Sequence, residues 1–284
     1  MGSWWQGARR WIHAAQGEPA GQGKRLGLAL GGGFARGIAH VGVLRAFERS
    51  KIPIHCISGI SAGSIVASAF ASGSSSYEIE QVAIKMRFSD VARWRISWQG
   101  LVGSDPMRKF LARVLKVFDF EKMQIPLAVV ATDLTAGAPA VFREKGDVVL
   151  PIRASCSYPG LFQPVRHLNH CLVDGMIAMD VPAAPLRRMG ATHVVSVALP
   201  NPTESVDPRN MLSVVTRCFQ IMTARSEAQW RRHSNLVIVP DVKEVGWDSF
   251  ESARVLIEAG EKAAEAVMPQ IARWFADEPG EAVA

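Results

Sequence analysis

Apolar positions change period repeatedly along the chain. Leu26 to Leu30 is an unbroken apolar run of strand length, and Ile38, Val41, Leu44 and Phe47 then recur at the spacing of one helix face. Ile52 to Ser58 reads as a second strand. The small residues of Ala62 to Ala71 predict a helix that can lie close on a sheet, and Ser72 to Ser76 a loop. Residues 77 to 118 read as helices broken near Trp94-Arg95-Ile96-Ser97-Trp98-Gln99-Gly100. Ile125 to Thr132 is a third strand, which Pro139 to Phe142 can join through the Ala136-Gly137 turn. Val148 to Ile152 and Val165 to Val173 read as further strands, the latter folded into a hairpin at Leu168-Asn169. His193 to Leu199 and Leu236 to Val239 are apolar, β-branched strands, and long amphipathic helices span about 209 to 232 and 249 to 275. Strand alternating with helix predicts an α/β fold with a largely parallel, covered sheet.

Residues 1 to 24 stand apart from 25 to 284. Trp4, Trp5, Ala8, Trp11, Ile12 and Ala15 fall at helical spacing, with Arg9, Arg10 and His13 largely opposite, and Gly17, Pro19, Gly21 and Gly23 form a flexible link. Such a segment can lie in a membrane interface or dock on the protein's own surface, and both readings stay open.

Composition narrows the partners. The 284 residues are 48% hydrophobic and 20% charged, enough apolar mass for a sizeable core. The formal charge of +6 suits an anionic membrane surface or plain solubility. Basic residues occur only in short pairs such as Arg9-Arg10 and Arg231-Arg232, so no nucleic-acid partner is expected. Cys56, Cys156, Cys171 and Cys218 form no Cys-x-x-Cys pair; neither a metal site nor a disulfide framework is expected, but free thiols in a reducing compartment. No apolar run reaches the roughly 18 to 20 residues of a spanning helix, and the start of the chain lacks the pattern of a secretory signal. A cytoplasmic location is expected, with peripheral contact at the inner face of the membrane if the tryptophan-rich segment engages lipid.

Gly59-Ile60-Ser61-Ala62-Gly63 places a serine between a predicted strand and a predicted helix. A sharp turn there exposes the hydroxyl, Gly59 and Gly63 relieve its crowding, and the helix start adds positive potential. The short pattern can arise by chance, so its strand–turn–helix setting carries the reading. Ser61 is the candidate nucleophile. Gly31-Gly32-Gly33 lies in a similar junction, where backbone N–H groups can meet an oxyanion. Dinucleotide binding is disfavoured, since Arg36 stands where Gly-x-Gly-x-x-Gly needs glycine and no acidic residue closes the second strand.

A serine hydroxyl needs a base. His193 and His233 follow Asp174 in the order of a hydrolase triad, but His193 opens a strand and His233 ends a helix beside Arg231 and Arg232, where it suits capping. His167 and His170 flank a hairpin turn. Asp174-Gly175 closes an apolar strand, where partial desolvation raises a carboxyl pKa and makes it a better base; on its own it also fits an ordinary turn.

Together these residues resemble the patatin-like phospholipase family, over roughly residues 25 to 200. Gly31-Gly32-Gly33-Phe34-Ala35-Arg36-Gly37 is similar to its glycine-rich block, with the Ala-Arg-Gly of small bacterial members. Gly59-Ile60-Ser61-Ala62-Gly63 resembles its nucleophile elbow. The segment from Ala154-Ser155 to Phe162-Gln163-Pro164 resembles its Ala-Ser segment, and Asp174-Gly175 its base motif, with Pro182 at the familiar distance. The resemblance implies a three-layer α/β/α fold, with residues 25 to 284 as the hydrolase domain. It implies a Ser61–Asp174 dyad, an oxyanion site drawn from Gly31, Gly32, Gly33 and Arg36, support from Gly37 and Gly175, and no metal or cofactor. The expected substrate is a lipid acyl ester, phospholipid or lysophospholipid. Acyl transfer by the same dyad, or lipid binding without turnover, are the alternatives. Trp94, Ile96, Trp98, Leu101 and Val102 read either as an apolar lid or as buried helix packing.

Overall fold

The computed structural model describes residues 23–97, 100–103, 106–200 and 207–276. The tryptophan-rich helix expected within residues 1 to 24 lies outside them, as does Trp98. β1 (Leu26–Leu30) leads through a 3-10 turn (Phe34–Ile38) into α1 (Ala39–Arg49). β2 (Cys56–Gly59) leads through Ser61 into α2 (Ala62–Ala71). α3 (Ser76–Ala83) and the short α4 (Phe88–Val91) precede an antiparallel hairpin, β3 (Arg93–Ser97) and β4 (Gly100–Gly103). α5 (Met107–Leu111), β5 (Leu127–Asp133), β6 (Ala138–Arg143) and α6 (Val149–Ser155) follow. A hairpin of β7 (Val165–His167) and β8 (His170–Asp174) leads to α7 (Ala183–Arg188) and β9 (His193–Val197). α8 (Met211–Arg231), β10 (Leu236–Ile238), α9 (Ala253–Glu265) and α10 (Met268–Ala276) complete the described chain.

β10, β9, β1, β2 and β5 pair in parallel, in that spatial order, whereas β6, β7 and β8 enter antiparallel. The sheet separates two apolar layers because side chains alternate across a strand. Leu26, Leu28 and Leu30 of β1 join the larger layer with α1 and α9. Ala29, Cys56 and Val194 join the smaller layer with Leu186 of α7 and Trp230 of α8. This is the three-layer α/β/α arrangement. The larger layer is tight where α1 crosses α9. A Cβ on Gly42 would stand 1.8 Å from the Ile257 carbonyl oxygen, and one on Gly260 1.9 Å from that of Ala39.

The register of β5 positions the chemistry. β6 pairs along one edge of β5 from Ala128 to Asp133. β2 and β8 therefore share the other edge. β2 runs parallel to β5 and ends with Gly59 opposite Val129. β8 runs antiparallel to β5 and ends with Asp174 opposite Ala131. The two strands meet nearly end to end, with Val130 between them.

Four predicted elements differ in the structure. Val148 to Ile152 is not a strand; Val149–Ser155 is helical, its start held where the Val149 N–H donates to Asp147 Oδ1 at 2.8 Å. A short apolar run does not separate the two periods. The segment around Trp94 to Gly100 is a hairpin rather than a helix break, in keeping with Trp94 and Ile96 alternating with polar residues. The second strand starts only at Cys56, since Pro53 has no N–H for a ladder. The final helix divides after Glu265, because Pro269 fits only the first turn of a new helix.

Candidate active site

Ser61 sits between β2 and α2 with φ 52° and ψ −127°, a conformation that side chains other than glycine rarely adopt. The surroundings hold it there. Its N–H donates to Ser155 Oγ at 2.8 Å, and Ser155 Oγ donates to the Val130 carbonyl at 2.6 Å. Its carbonyl accepts from Ser64 N–H at 2.9 Å and Ser64 Oγ at 2.6 Å. Gly59 and Gly63 are required by space: a Cβ on Gly59 would lie 2.4 Å from the Gly63 oxygen, and one on Gly63 2.4 Å from the Leu30 oxygen. Gly37 admits Ala62 at the start of α2, where a Cβ would approach its Cβ to 2.3 Å.

Asp174 is fully buried at the end of β8. Its Oδ1 accepts from Met176 N–H at 3.0 Å, while Oδ2 has no hydrogen-bond partner among the described residues. Burial pushes its pKa up to about 7 against the pull of Met176 N–H and the nearby Ser61 side chain, and the charge of Asp180 adds to the rise. Gly175 brings the chain against β5, where a Cβ would lie 2.4 Å from the Val130 oxygen. The Cys156 thiol also borders Ser61 and Asp174, and burial drives its pKa further upward, so it stays a neutral neighbour.

The glycine run divides its work. The Gly31 N–H donates to the Val197 carbonyl at 3.0 Å, so Gly31 is an anchor rather than an oxyanion donor. The N–H groups of Gly32 and Gly33 have no acceptor among the described residues, and both residues line the cavity with Ser61. Arg36 differs from expectation as well. Its buried guanidinium donates from Nε to the Val245 carbonyl at 2.8 Å and from a terminal nitrogen to that of Pro200 at 3.2 Å. It ties two loops to the site rather than facing an oxyanion alone.

His40 and Asp180 were missed by sequence reasoning. His40 Nε2 donates to the Gly31 carbonyl at 2.9 Å from within α1, and burial lowers its pKa to about 4, so the ring is neutral. A histidine amid small and apolar residues, seven positions after the glycine run, was the available signal. Asp180 lines the cavity, and burial followed by the charge of Glu227 raises its pKa to about 6. His170 and His193 are engaged elsewhere. His170 Nδ1 lies 2.5 Å from Asp133 Oδ2, and the His193 ring lies 4.9 Å from that of Trp274. Burial and three arginines lower the pKa of His233, so it carries no capping charge.

Ser61 and Asp174 open on a cavity of about 480 Å³, within the size range of small-molecule sites. Phe34, Leu161, Leu199 and Trp247 give it apolar lining, and the α8 residues Ser213, Thr216, Arg217 and Gln220 add polar lining. Phe34, itself at φ 51°, centres an aromatic cluster with Trp247 at 5.0 Å and Phe250 at 5.7 Å between ring centroids. Of the suggested lid, Trp94 and Ile96 fall on β3 and Leu101 and Val102 on β4. Val102 is fully buried and bonded through its backbone to Leu161 and Gln163, so it is fixed in place.

A family model described as patatin-like phospholipase matches residues 28–187, more than half of the chain. The chain belongs to the patatin-like phospholipase family. An uncharacterized NTE family protein of Mycobacterium tuberculosis is 30% identical over 228 residues, which cover 71% of this chain and 59% of the relative. The chain thus spans little more than half the length of that relative. Lysophospholipase NTE1 of Lodderomyces elongisporus is 32% identical over 178 residues, covering 61% of this chain and 12% of that protein. The crystal structure of VipD from Legionella pneumophila shares the fold, with a TM-score of 0.52 at 16% identity over 88% of this chain and 67% of that one.

Proposed function

We propose that this patatin-like chain hydrolyses acyl esters of phospholipids or lysophospholipids through Ser61 and Asp174. The observation that carries the reading is the convergence of a serine on a strained elbow and a buried aspartate with a free Oδ2 on one largely apolar cavity. Ser61 Oγ attacks the ester carbonyl while Asp174 accepts its proton. The N–H groups of Gly32 and Gly33, with the start of α2, stabilise the oxyanion. The alcohol leaves with a proton from Asp174, and water then cleaves the acyl-enzyme by the same exchange. The names of the NTE-type relatives support this substrate class.

Peripheral contact with a lipid surface belongs to the same reading. The outer face of α8 exposes Met211, Val214 and Ile221, and Trp247 at the cavity is 48% exposed. Among the described residues no helix is long and apolar enough to cross a membrane.

The test is a lipid panel assayed by product mass, with Ser61→Ala as the blank and a fluorophosphonate probe to report the nucleophile. Release of free fatty acid and probe labelling, both lost in Ser61→Ala, are expected. Labelling with acyl transfer to an added alcohol but no free acid would replace hydrolase by transferase. Absence of labelling in the folded protein would refute the nucleophile.

A further inference from the structure

Arg36 and Arg217 both line the cavity, but only Arg36 is tied into the structure by bonds to carbonyls. Arg217 lies part-buried in the second turn of α8. Its sole hydrogen bond among the described residues is a long one, 3.3 Å to Gln220 Oε1 within the same helix. It makes no ion pair among the described residues, and neither cavity carboxylate, Asp174 or Asp180, bonds to it. A guanidinium offers five N–H donors in a planar fork, so most of this one's capacity is unspent. Ser213 at i−4 and Gln220 at i+3 share its helix face, and both line the cavity with Thr216. Leu161, Leu199, Phe34 and Trp247 form the apolar counterpart.

An acyl ester bound at Ser61 has an apolar chain and an alcohol portion. The apolar lining suits the chain, and the polar α8 residues suit the alcohol portion. A neutral glycerol there would leave the guanidinium partly desolvated and unpaired, which is costly. A phosphate would satisfy it through two parallel N–H···O bonds, the geometry that guanidinium favours.

We propose that Arg217, with the polar row of α8, is the subsite for the phosphate of an esterified lipid headgroup. This rests on the acyl-hydrolase reading and deepens it, assigning discrimination between phosphate-bearing and neutral esters to a helix beyond the segment that defines the family.

The experiment compares the full chain with Arg217→Gln and Arg217→Lys on a monomeric short-chain lysophospholipid and the matching monoacylglycerol. The ratio of their kcat/KM values is expected to fall by roughly tenfold to a hundredfold in Arg217→Gln, chiefly through KM for the phosphate-bearing ester, and to recover partly in Arg217→Lys. An equal loss on both substrates, or an unchanged ratio, overturns the proposal. A Ser61→Ala background measures binding without turnover. There the lysophospholipid should bind more weakly once Arg217→Gln is added. If neither ester is hydrolysed yet that dependence holds, the subsite stands and the hydrolase reading falls. Inorganic phosphate competing as well as the lysophospholipid would overturn the lipid source.

Discussion

Ser61 N–H and Ser155 Oγ are 2.8 Å apart, and the same hydroxyl donates its own hydrogen bond to the Val130 carbonyl. Ser61 is thereby fastened to β5, the strand that also pairs with Asp174 at its edge. Ser155→Ala should free the Ser61 N–H and orphan the Val130 oxygen. Stability should fall by about 1–3 kcal/mol, and kcat by about tenfold with KM little changed. Denaturant melts and steady-state kinetics on one soluble ester measure both.

The aspartate, not a histidine, should be indispensable. Asp174→Ala should lower kcat by roughly 10² to 10⁴. His170→Ala, His193→Ala and His233→Ala should stay within about threefold of the parent, since the first two rings contact Asp133 and Trp274 and the third lies among Arg187, Arg188 and Arg232. A folded histidine variant that loses activity would point to a triad.

Activity should follow the ionisation of Asp174. Its carboxyl titrates at about 7 and must be charged to accept a proton, so kcat/KM should rise with pH through that value. The charge of Asp180 contributes to the elevation, so Asp180→Asn should move the acid limb of the profile to lower pH. A limb that stays in place would separate Asp180 from the base.

Stability should carry the opposite dependence. Asp174 holds its proton in the folded chain up to about 7, whereas the unfolded carboxyl releases it near its ordinary value of 3.8. The folded state therefore loses stability from this group as pH rises through that window, by up to about 4 kcal/mol. Asp174→Asn keeps an acceptor for Met176 N–H and removes the penalty. Its Tm should exceed that of the parent at pH 8, and the gap should shrink toward pH 4. A gap independent of pH would refute the assignment.

The sequence displayed the elbow because glycine at 59 and 63 is dictated by local space, and local space leaves a local pattern. Asp174 was legible as the polar end of an apolar strand. The parts that escaped depend on distant partners. Nothing near Gly31 announces that its N–H is taken by Val197, and Arg36 finds its carbonyls at Pro200 and Val245 only after the chain has folded. His40 shows its role only through a bond to the glycine run. The helix at Val149–Ser155 was misread because a short apolar run suits either period, and its start depends on the side chain of Asp147.

β2 and β8 meet end to end along one edge of β5. During folding, neither strand can bring its residue to the other until β5 has been annealed between β2 and β6 and the β7–β8 hairpin has turned back. Local helices can form well before such distant pairings close. Recovery of esterase activity should therefore trail recovery of helical signal after dilution from denaturant, making catalysis a late clock for completion of the sheet.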